Sequence, residues 1–88
     1  MYTSQPIKLE EIISDYIVRN VNLTQIDNDM RIFESGLVNS LFAIELMTFL
    51  EKSFGIKIRI DDLDMENFQS VNLIVKFVEN KLKGEKNV

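Results

Sequence analysis

The sequence predicts an all-α fold, namely a four-helix bundle of three long helices and one short helix, with a long loop after the first helix. Apolar residues recur at helical spacing in three stretches, and a glycine ends one of them. The one stretch that alternates like a β-strand has no second strand to pair with. A chain of 88 residues suits one domain, which we expect at residues 1–88, with a folded core at about 7–82 and a frayed tail at 83–88.

The first helix is predicted from Pro6 to about Asn20, because apolar residues stand there at positions i, i+3, i+4, i+7 and i+8. Charged residues separate them, as in an amphipathic helix with one face on the core. The apolar residues are Leu9, Ile12, Ile13, Tyr16 and Ile17.

The loop that follows, at about residues 21–39, is unusually long for a compact domain. Loops of this length are functional, or they pack on the protein through their own side chains. Ile26, Ile32 and Phe33 favour packing on the bundle.

The second helix is predicted from Ser40 to Phe54, with Gly55 as its C-terminal stop. One broad sector of this helix is apolar, which predicts the face that lies on the core. That sector contains Ala43, Leu46, Met47, Leu50 and Phe54.

The opposite sector of the same helix also carries large apolar side chains. It contains Leu41, Ile44, Glu45, Thr48 and Lys52, with Phe42 and Phe49 on the flank. One interpretation is a central helix that is buried on most sides. In the other, Leu41 and Ile44 are exposed, and each forgoes about 1.5–3 kcal/mol of burial energy. A docking surface, covered by a partner protein, is then the economical explanation.

The remainder of the chain predicts an extended loop at 57–60, a short helix at 61–68 and a third long helix. Ser70 is a candidate N-cap for the third long helix. The apolar stripe of that helix is Leu73, Ile74, Phe77 and Val78, and Lys81 and Lys83 lie near its C-terminus.

The composition excludes several functional classes. Ten basic and fourteen acidic residues give a formal charge of −4 at pH 7. This charge repels phosphate, so we expect neither nucleic acid nor a membrane as partner, but a basic protein surface. The chain has no cysteine and no histidine, which removes disulfides, zinc-thiolate sites and the usual nucleophile pairs. We therefore predict a protein that is not an enzyme.

The N-terminal sequence MYTSQPIKLEE contains no apolar run of the signal-peptide type. No stretch approaches the roughly 18 apolar residues of a membrane span. We expect a cytoplasmic protein, and a monomer.

The acidic residues Asp61, Asp62, Asp64 and Glu66 suggest a calcium site at first sight. Their spacing lacks the alternating ligands, the central glycine and the terminal glutamate of an EF-hand loop. Acidic residues are favoured at a helix N-terminus in any case, and this explains the cluster. We predict no metal site.

Ser40 stands at the predicted start of the second helix, shortly after Gly36. Serine is a good N-cap, so one interpretation of this residue is structural. In the other interpretation its hydroxyl is an attachment point, since a phosphate bound there faces free backbone N–H groups and the positive end of the helix dipole. Position alone leaves both open.

Residues 33–58, FESGLVNSLFAIELMTFLEKSFGIKI, resemble the central part of acyl carrier proteins. Those proteins are acidic four-helix bundles with a long first loop and an Asp-Ser-Leu motif that opens the second helix. The resemblance covers about residues 7–82 and implies an acyl-carrier-like bundle. It also implies that Ser40 carries a 4′-phosphopantetheine arm, transferred from coenzyme A by a phosphopantetheinyl transferase. The terminal thiol of the arm then holds the cargo as a thioester.

The same resemblance implies a partner-binding surface around Ser40. Its apolar residues are presented to partner enzymes, and its acidic residues steer the encounter with basic patches. The surface comprises Asn39, Leu41, Phe42, Ile44, Glu45, Thr48 and Glu51. Two of these positions depart from the family pattern. Asn39 replaces the usual aspartate, which bears on the choice of transferase, and Phe42 stands where polar residues are common.

Within the family, VNSLFAIEL followed by DLDMENFQS is most similar to stand-alone carriers of polyketide pathways. The similarity is to carriers of glycerate-derived extender units such as hydroxymalonyl or methoxymalonyl. It implies an acyl-loading enzyme, tailoring dehydrogenases, sometimes a methyltransferase, and a polyketide synthase acyltransferase as partners. Two alternatives stay open. The first is an aminoacyl, peptidyl or D-alanyl carrier that uses Ser40 identically, and the second is a helical interaction module without a prosthetic group.

Overall fold

The computed structural model describes residues 6–86. Within this range the chain forms three α-helices and no strand. The helices are α1 (Pro6–Val21), α2 (Ser40–Phe54) and α3 (Val71–Lys86). The all-α prediction is confirmed, and the predicted bounds of α1 and α2 agree with the structure to within a residue or two.

The predicted count of four helices is not confirmed. The short helix expected at 61–68 is instead two separate 3₁₀ turns, Ile60–Asp62 and Met65–Phe68. Acidic side chains cap the start of each turn, and the second of these caps, Asp64, has an extended backbone that separates the two turns. Asp62 Oδ2 accepts from the Arg59 N–H at 2.9 Å, and Asp64 Oδ1 accepts from the Glu66 N–H at 3.0 Å.

The core is formed by the apolar faces of the three helices together with the loop. α1 contributes Ile13 and Ile17, both fully buried, whereas Ile12 from the same predicted stripe is partly exposed. Tyr16 stacks on Phe49 with 3.9 Å between ring centroids, which joins α1 to α2. The buried apolar residues are Ile13, Ile17, Ile32, Phe42, Ala43, Leu46, Leu50, Ile56, Phe68, Val71, Ile74, Phe77 and Val78.

The long loop packs on the bundle, as Ile26, Ile32 and Phe33 predicted. Ile32 is fully buried, and its N–H donates to the Gln69 carbonyl at 2.7 Å. The side-chain oxygen of the buried Gln69 accepts from the N–H groups of Phe33 and Glu34, each at 3.3 Å. The entry to α3 therefore fixes the path of the loop toward α2.

Helix ends follow the predicted signals. Gly55 adopts a left-handed conformation with φ of 66°, and its N–H closes α2 on the Glu51 carbonyl at 2.9 Å. Ser70 Oγ accepts from the Leu73 N–H at 3.2 Å, which confirms it as the cap of α3. The chain stays helical to Lys86, past the predicted core limit at residue 82, and residues 1–5 and 87–88 lie outside the described range.

None of the helices at residues 6–86 is long and apolar enough to cross a membrane.

Candidate functional site

The start of α2 is capped by Asn39, not by Ser40. Asn39 has an extended backbone with φ of −118° and ψ of −175°, and its Oδ1 accepts from the Phe42 N–H at 3.1 Å. Ser40 is the first residue of the helix. The structural interpretation of Ser40 as the N-cap is therefore wrong, because the preceding asparagine already fills that role.

The Ser40 hydroxyl is exposed and is bonded to none of the residues at 6–86. The backbone N–H groups of Ser40 and Leu41 belong to the first turn of α2, so they have no acceptor within the helix. Both groups and the positive end of the helix dipole lie beside the hydroxyl, where they favour an anion. A phosphate ester on this oxygen fits the residues present, since no residue in the described part of the chain is bonded to the hydroxyl and the two N–H groups have no acceptor within the helix.

The outer face of α2 is exposed as the sequence predicted for a docking surface. Leu41 and Ile44 are each 62% exposed, which overturns the interpretation of a helix buried on most sides. Glu45 and Thr48 are exposed on the same face. The Thr48 hydroxyl already makes one hydrogen bond, since it donates to the Ile44 carbonyl at 3.2 Å.

Two residues of the predicted partner-binding surface, Phe42 and Glu51, do not lie on the exposed face of α2. Phe42 is only 6% exposed, and its ring lies 5.8 Å from that of Tyr16, so it belongs to the core. Glu51 is half-buried, and its Oε2 accepts from the Ile58 N–H at 2.8 Å. Spacing placed Glu51 on a helix surface, but the chain after Gly55 returns to cover it.

Tyr16 is a polar residue near the site that sequence reasoning counted only as part of an apolar stripe. Burial raises the pKa of its hydroxyl, and the negative charge of Glu45 raises it further. The tyrosine hydroxyl therefore stays protonated beside the glutamate. Nothing in the spacing of α1 signals this proximity, because it depends on how α1 and α2 cross.

A second group of exposed apolar side chains lies in the 3₁₀ region. Ile60 is 86% exposed, and Leu63 and Met65 are also exposed. The sequence predicted a short helix, or a single turn of one, over the segment that contains Leu63 and Met65. Since no such helix forms, neither has a helical face to bury.

The acidic residues at 61–66 serve the fold. Lys81 Nζ lies 2.8 Å from Asp62 Oδ2, and both side chains are largely buried. Burial opposes the ionisation of Asp62, but hydrogen bonds from Lys81 and from the Arg59 N–H hold its pKa below the usual value. Hydrogen bonds from Arg31 lower the pKa of Glu66, against a smaller effect of burial. The described side chains contain no group of three or more His, Cys, Asp or Glu residues placed to hold a metal ion.

A small helical bundle with an exposed serine hydroxyl at a helix N-terminus is compatible with a carrier domain, which holds a covalent group without transforming it. The chain belongs to the acyl carrier protein family, since residues 8–78 match the family model described as a phosphopantetheine attachment site.

Several relatives have similar sequences over most of their length. The acyl carrier protein of Thermotoga maritima is 31% identical over 75 residues, which are 85% of this chain and 88% of the relative. The D-alanyl carrier protein of Enterococcus faecalis is 32% identical over 72 residues, or 81% of this chain and 83% of the relative. A D-alanyl carrier protein of Lactococcus lactis is 36% identical over 55 residues, or 62% and 70%.

Membership of this family confirms three predictions. The resemblance to acyl carrier proteins is correct, the protein is a carrier and not an enzyme, and its prosthetic group is phosphopantetheine. Carriers of this family are in general modified by a phosphopantetheinyl transferase and meet enzymes that handle acyl groups.

Proposed function

We propose that Ser40 is the residue that carries the phosphopantetheine arm. The observation that supports this most directly is the exposed Ser40 hydroxyl, which is bonded to no other described residue and follows a helix cap made by Asn39. Capping and attachment are thus divided between neighbouring residues, which leaves the serine oxygen available as a nucleophile.

Attachment forms a bond between Ser40 Oγ and the pantetheine phosphorus of coenzyme A. The pyrophosphate bond of coenzyme A breaks, and the adenosine bisphosphate leaves. The serine proton passes to a base of the transferase, since this chain has no histidine and the described part of the chain offers no base bonded to the hydroxyl. Once attached, the arm supplies a thiol that holds acyl groups as thioesters.

Partner enzymes would contact the face of α2 formed by Leu41, Ile44, Glu45 and Thr48. Leu41 and Ile44 are large and exposed, so a partner gains apolar burial by covering them. Glu45 adds a negative charge that steers a basic partner and makes the contact sensitive to salt. Binding of this kind is readily reversible, which suits a carrier that visits several enzymes.

For the cargo, we propose a stand-alone carrier of glycerate-derived extender units in a polyketide pathway. This proposal is supported by the resemblance of VNSLFAIEL and DLDMENFQS to such carriers. Its partners would be an acyl-loading enzyme, tailoring enzymes and a polyketide synthase acyltransferase.

A D-alanyl carrier is a second candidate, and a specific observation favours it. Several of the relatives named above are D-alanyl carrier proteins. Such a carrier would take an amino acid from an adenylating enzyme and would use Ser40 in the same way.

Attachment is tested by the intact mass of the protein after incubation with coenzyme A, Mg²⁺ and a broad-specificity phosphopantetheinyl transferase. We expect a gain of one phosphopantetheine, lost in Ser40→Ala and kept in Ser53→Ala, which removes another exposed hydroxyl from the same helix. A gain that persists in Ser40→Ala would overturn the assignment. So would the absence of any gain while a known carrier is modified in parallel.

The cargo is tested by offering the modified protein to two loading systems. One is a glyceryl-loading enzyme with its activated three-carbon donor, and the other is a D-alanine-adenylating enzyme with ATP and D-alanine. Mass spectrometry of the thioester then distinguishes the two proposals, and loading by the second enzyme alone would reject the polyketide role.

A further inference from the structure

A groove of about 320 Å³ lies next to Ser40, between the end of α1, the end of the loop and the first turns of α2. We call it the Ser40 groove. Its apolar lining is Val21, Leu37, Val38, Leu41 and Phe42, and its polar lining is Asn20, Asn39 and Glu45. The groove therefore combines apolar walls with two amide residues and one acidic residue.

The groove begins where the arm would be attached. Asn39 and Leu41, the two neighbours of Ser40, both line it. An arm that leaves the Ser40 oxygen can therefore enter the groove along the edge of the outer face at Leu41 and Glu45, whereas Ile44 and Thr48, exposed on the same face, do not line the groove.

In each of the two amide side chains, one polar atom is already hydrogen-bonded and the other is available. Asn20 donates from Nδ2 to the Tyr16 carbonyl at 2.8 Å, which leaves its Oδ1 as an acceptor. Asn39 accepts at Oδ1 from the Phe42 N–H, which leaves its Nδ2 as a donor. The groove thus offers one acceptor and one donor that no other described residue occupies.

Pantetheine has the complementary chemistry. It carries two amide groups, each with a donor and an acceptor, and a quaternary carbon with two methyl groups near its phosphate end. The methyl groups can pack on the apolar side chains of Val21 and Leu37. The amides can hydrogen-bond to Asn20 Oδ1 and Asn39 Nδ2.

We propose that the phosphopantetheine arm folds back into the Ser40 groove between α1 and α2. This rests on the proposed attachment at Ser40. The groove is a resting site for the arm itself, so the cargo at its end is carried along the α1 side of the bundle. Ile44 and Thr48 do not line the groove and stay uncovered while the arm rests, whereas Leu41 and Glu45 do line it, so the resting arm covers one edge of the face that partner enzymes meet.

The test compares the unmodified and modified proteins by nuclear magnetic resonance, after intact mass has shown complete modification. We expect amide shift changes at Val21 and Leu37, and nuclear Overhauser effects between their methyl groups and the two methyl groups of the arm. Val21→Ser should abolish these contacts. Leu23→Ser is the matched control, because Leu23 is an exposed apolar residue that does not line the groove.

The two proposals fail in different ways. Complete modification with shift changes limited to residues 39–41, and no contact to Val21 or Leu37, would overturn the resting site and leave attachment at Ser40 intact. Contacts between the arm and α3 would overturn it as well. A wild-type protein that gains no mass would overturn attachment, and the resting site with it.

Discussion

Asn39 and Phe42 are joined by a hydrogen bond of 3.1 Å from the Phe42 N–H to Asn39 Oδ1, so the cap of α2 lies one residue before Ser40. Phe42 is at the same time packed into the core, 5.8 Å from the Tyr16 ring. The first turn of α2 is therefore held from both sides, by a cap and by an aromatic anchor. Ser40 lies between them and takes part in neither.

Replacing the cap and replacing the proposed attachment serine should have different effects on stability. Asn39→Ala removes the cap and should lower the free energy of unfolding by about 1 kcal/mol. Ser40→Ala removes an unbonded hydroxyl and should change it by less than about 0.5 kcal/mol. Urea unfolding of the unmodified proteins measures both, and a larger loss in Ser40→Ala would show that the serine caps the helix after all.

Asn39→Asp restores the residue usual in the family and keeps an oxygen in the capping position. The added negative charge lies at the positive end of the α2 dipole, so we expect a gain of about 0.3–1 kcal/mol in the free energy of unfolding. The gain should shrink as salt is added, because the charge is exposed. Urea unfolding at low and high salt tests this, and a gain that is independent of salt would contradict the dipole explanation.

Ile44 and Leu46 belong to the same helix but to opposite faces. Leu46 is fully buried, so Leu46→Ala should cost about 2–5 kcal/mol of stability. Ile44→Ala should cost less than about 0.5 kcal/mol, because the side chain is mostly exposed. It should nevertheless slow modification by the transferase, followed by intact mass over time. An unchanged rate would mean that this transferase does not use the exposed face of α2.

Gln69 holds the loop through the N–H groups of Phe33 and Glu34. Gln69→Ala leaves both donors without their acceptor and should cost about 1–3 kcal/mol. Hydrogen exchange at residues 33 and 34 should also become faster. Gln69→Glu keeps an acceptor oxygen and should keep exchange slow there. Equal exchange in wild type and Gln69→Ala would show that these bonds do not hold the loop.

The Asp62–Lys81 pair makes stability depend on pH. The folded protein holds the pKa of Asp62 below its ordinary value of 3.8. The ionised Asp62 therefore stabilises the folded protein at any pH above that ordinary pKa. This stabilisation is lost as the pH falls through the lower pKa that Asp62 has in the folded protein. We expect Asp62→Asn to be less stable than wild type at neutral pH, with a difference that narrows in acid. Unfolding curves from pH 7 to pH 2 measure this, and a difference that grows toward acid would contradict the assigned sign.

Periodicity identified the helical faces because the side on which a residue lies is set by the helix itself. Periodicity places Leu46 and Leu50 on the core face and Leu41 and Ile44 on the opposite face, but it leaves open whether that opposite face is buried or exposed. Gly55 could be assigned as a stop because glycine adopts a positive φ at little cost.

Other features depend on choices that periodicity cannot decide. Asn39 and Ser40 are both good caps, so the sequence left the start of α2 uncertain by one residue. Asp62 and Asp64 both favour a helix start, but spacing does not show that two short turns begin there in place of one helix. Phe42 lies on the flank of α2, and its burial depends on where Tyr16 of α1 and Phe33 of the loop are placed.

The bonds between the loop and Gln69 also affect when the site is completed during synthesis. Phe33 and Gln69 are 36 positions apart, so the loop that leads into α2 has no acceptor for these N–H groups until Gln69 has been translated and has left the ribosome. The path of this loop is therefore set by a residue that is made long after it, at the entry to α3. A nascent chain that stalls before Gln69 lacks these bonds, so the segment that leads into Ser40 is without its native anchor.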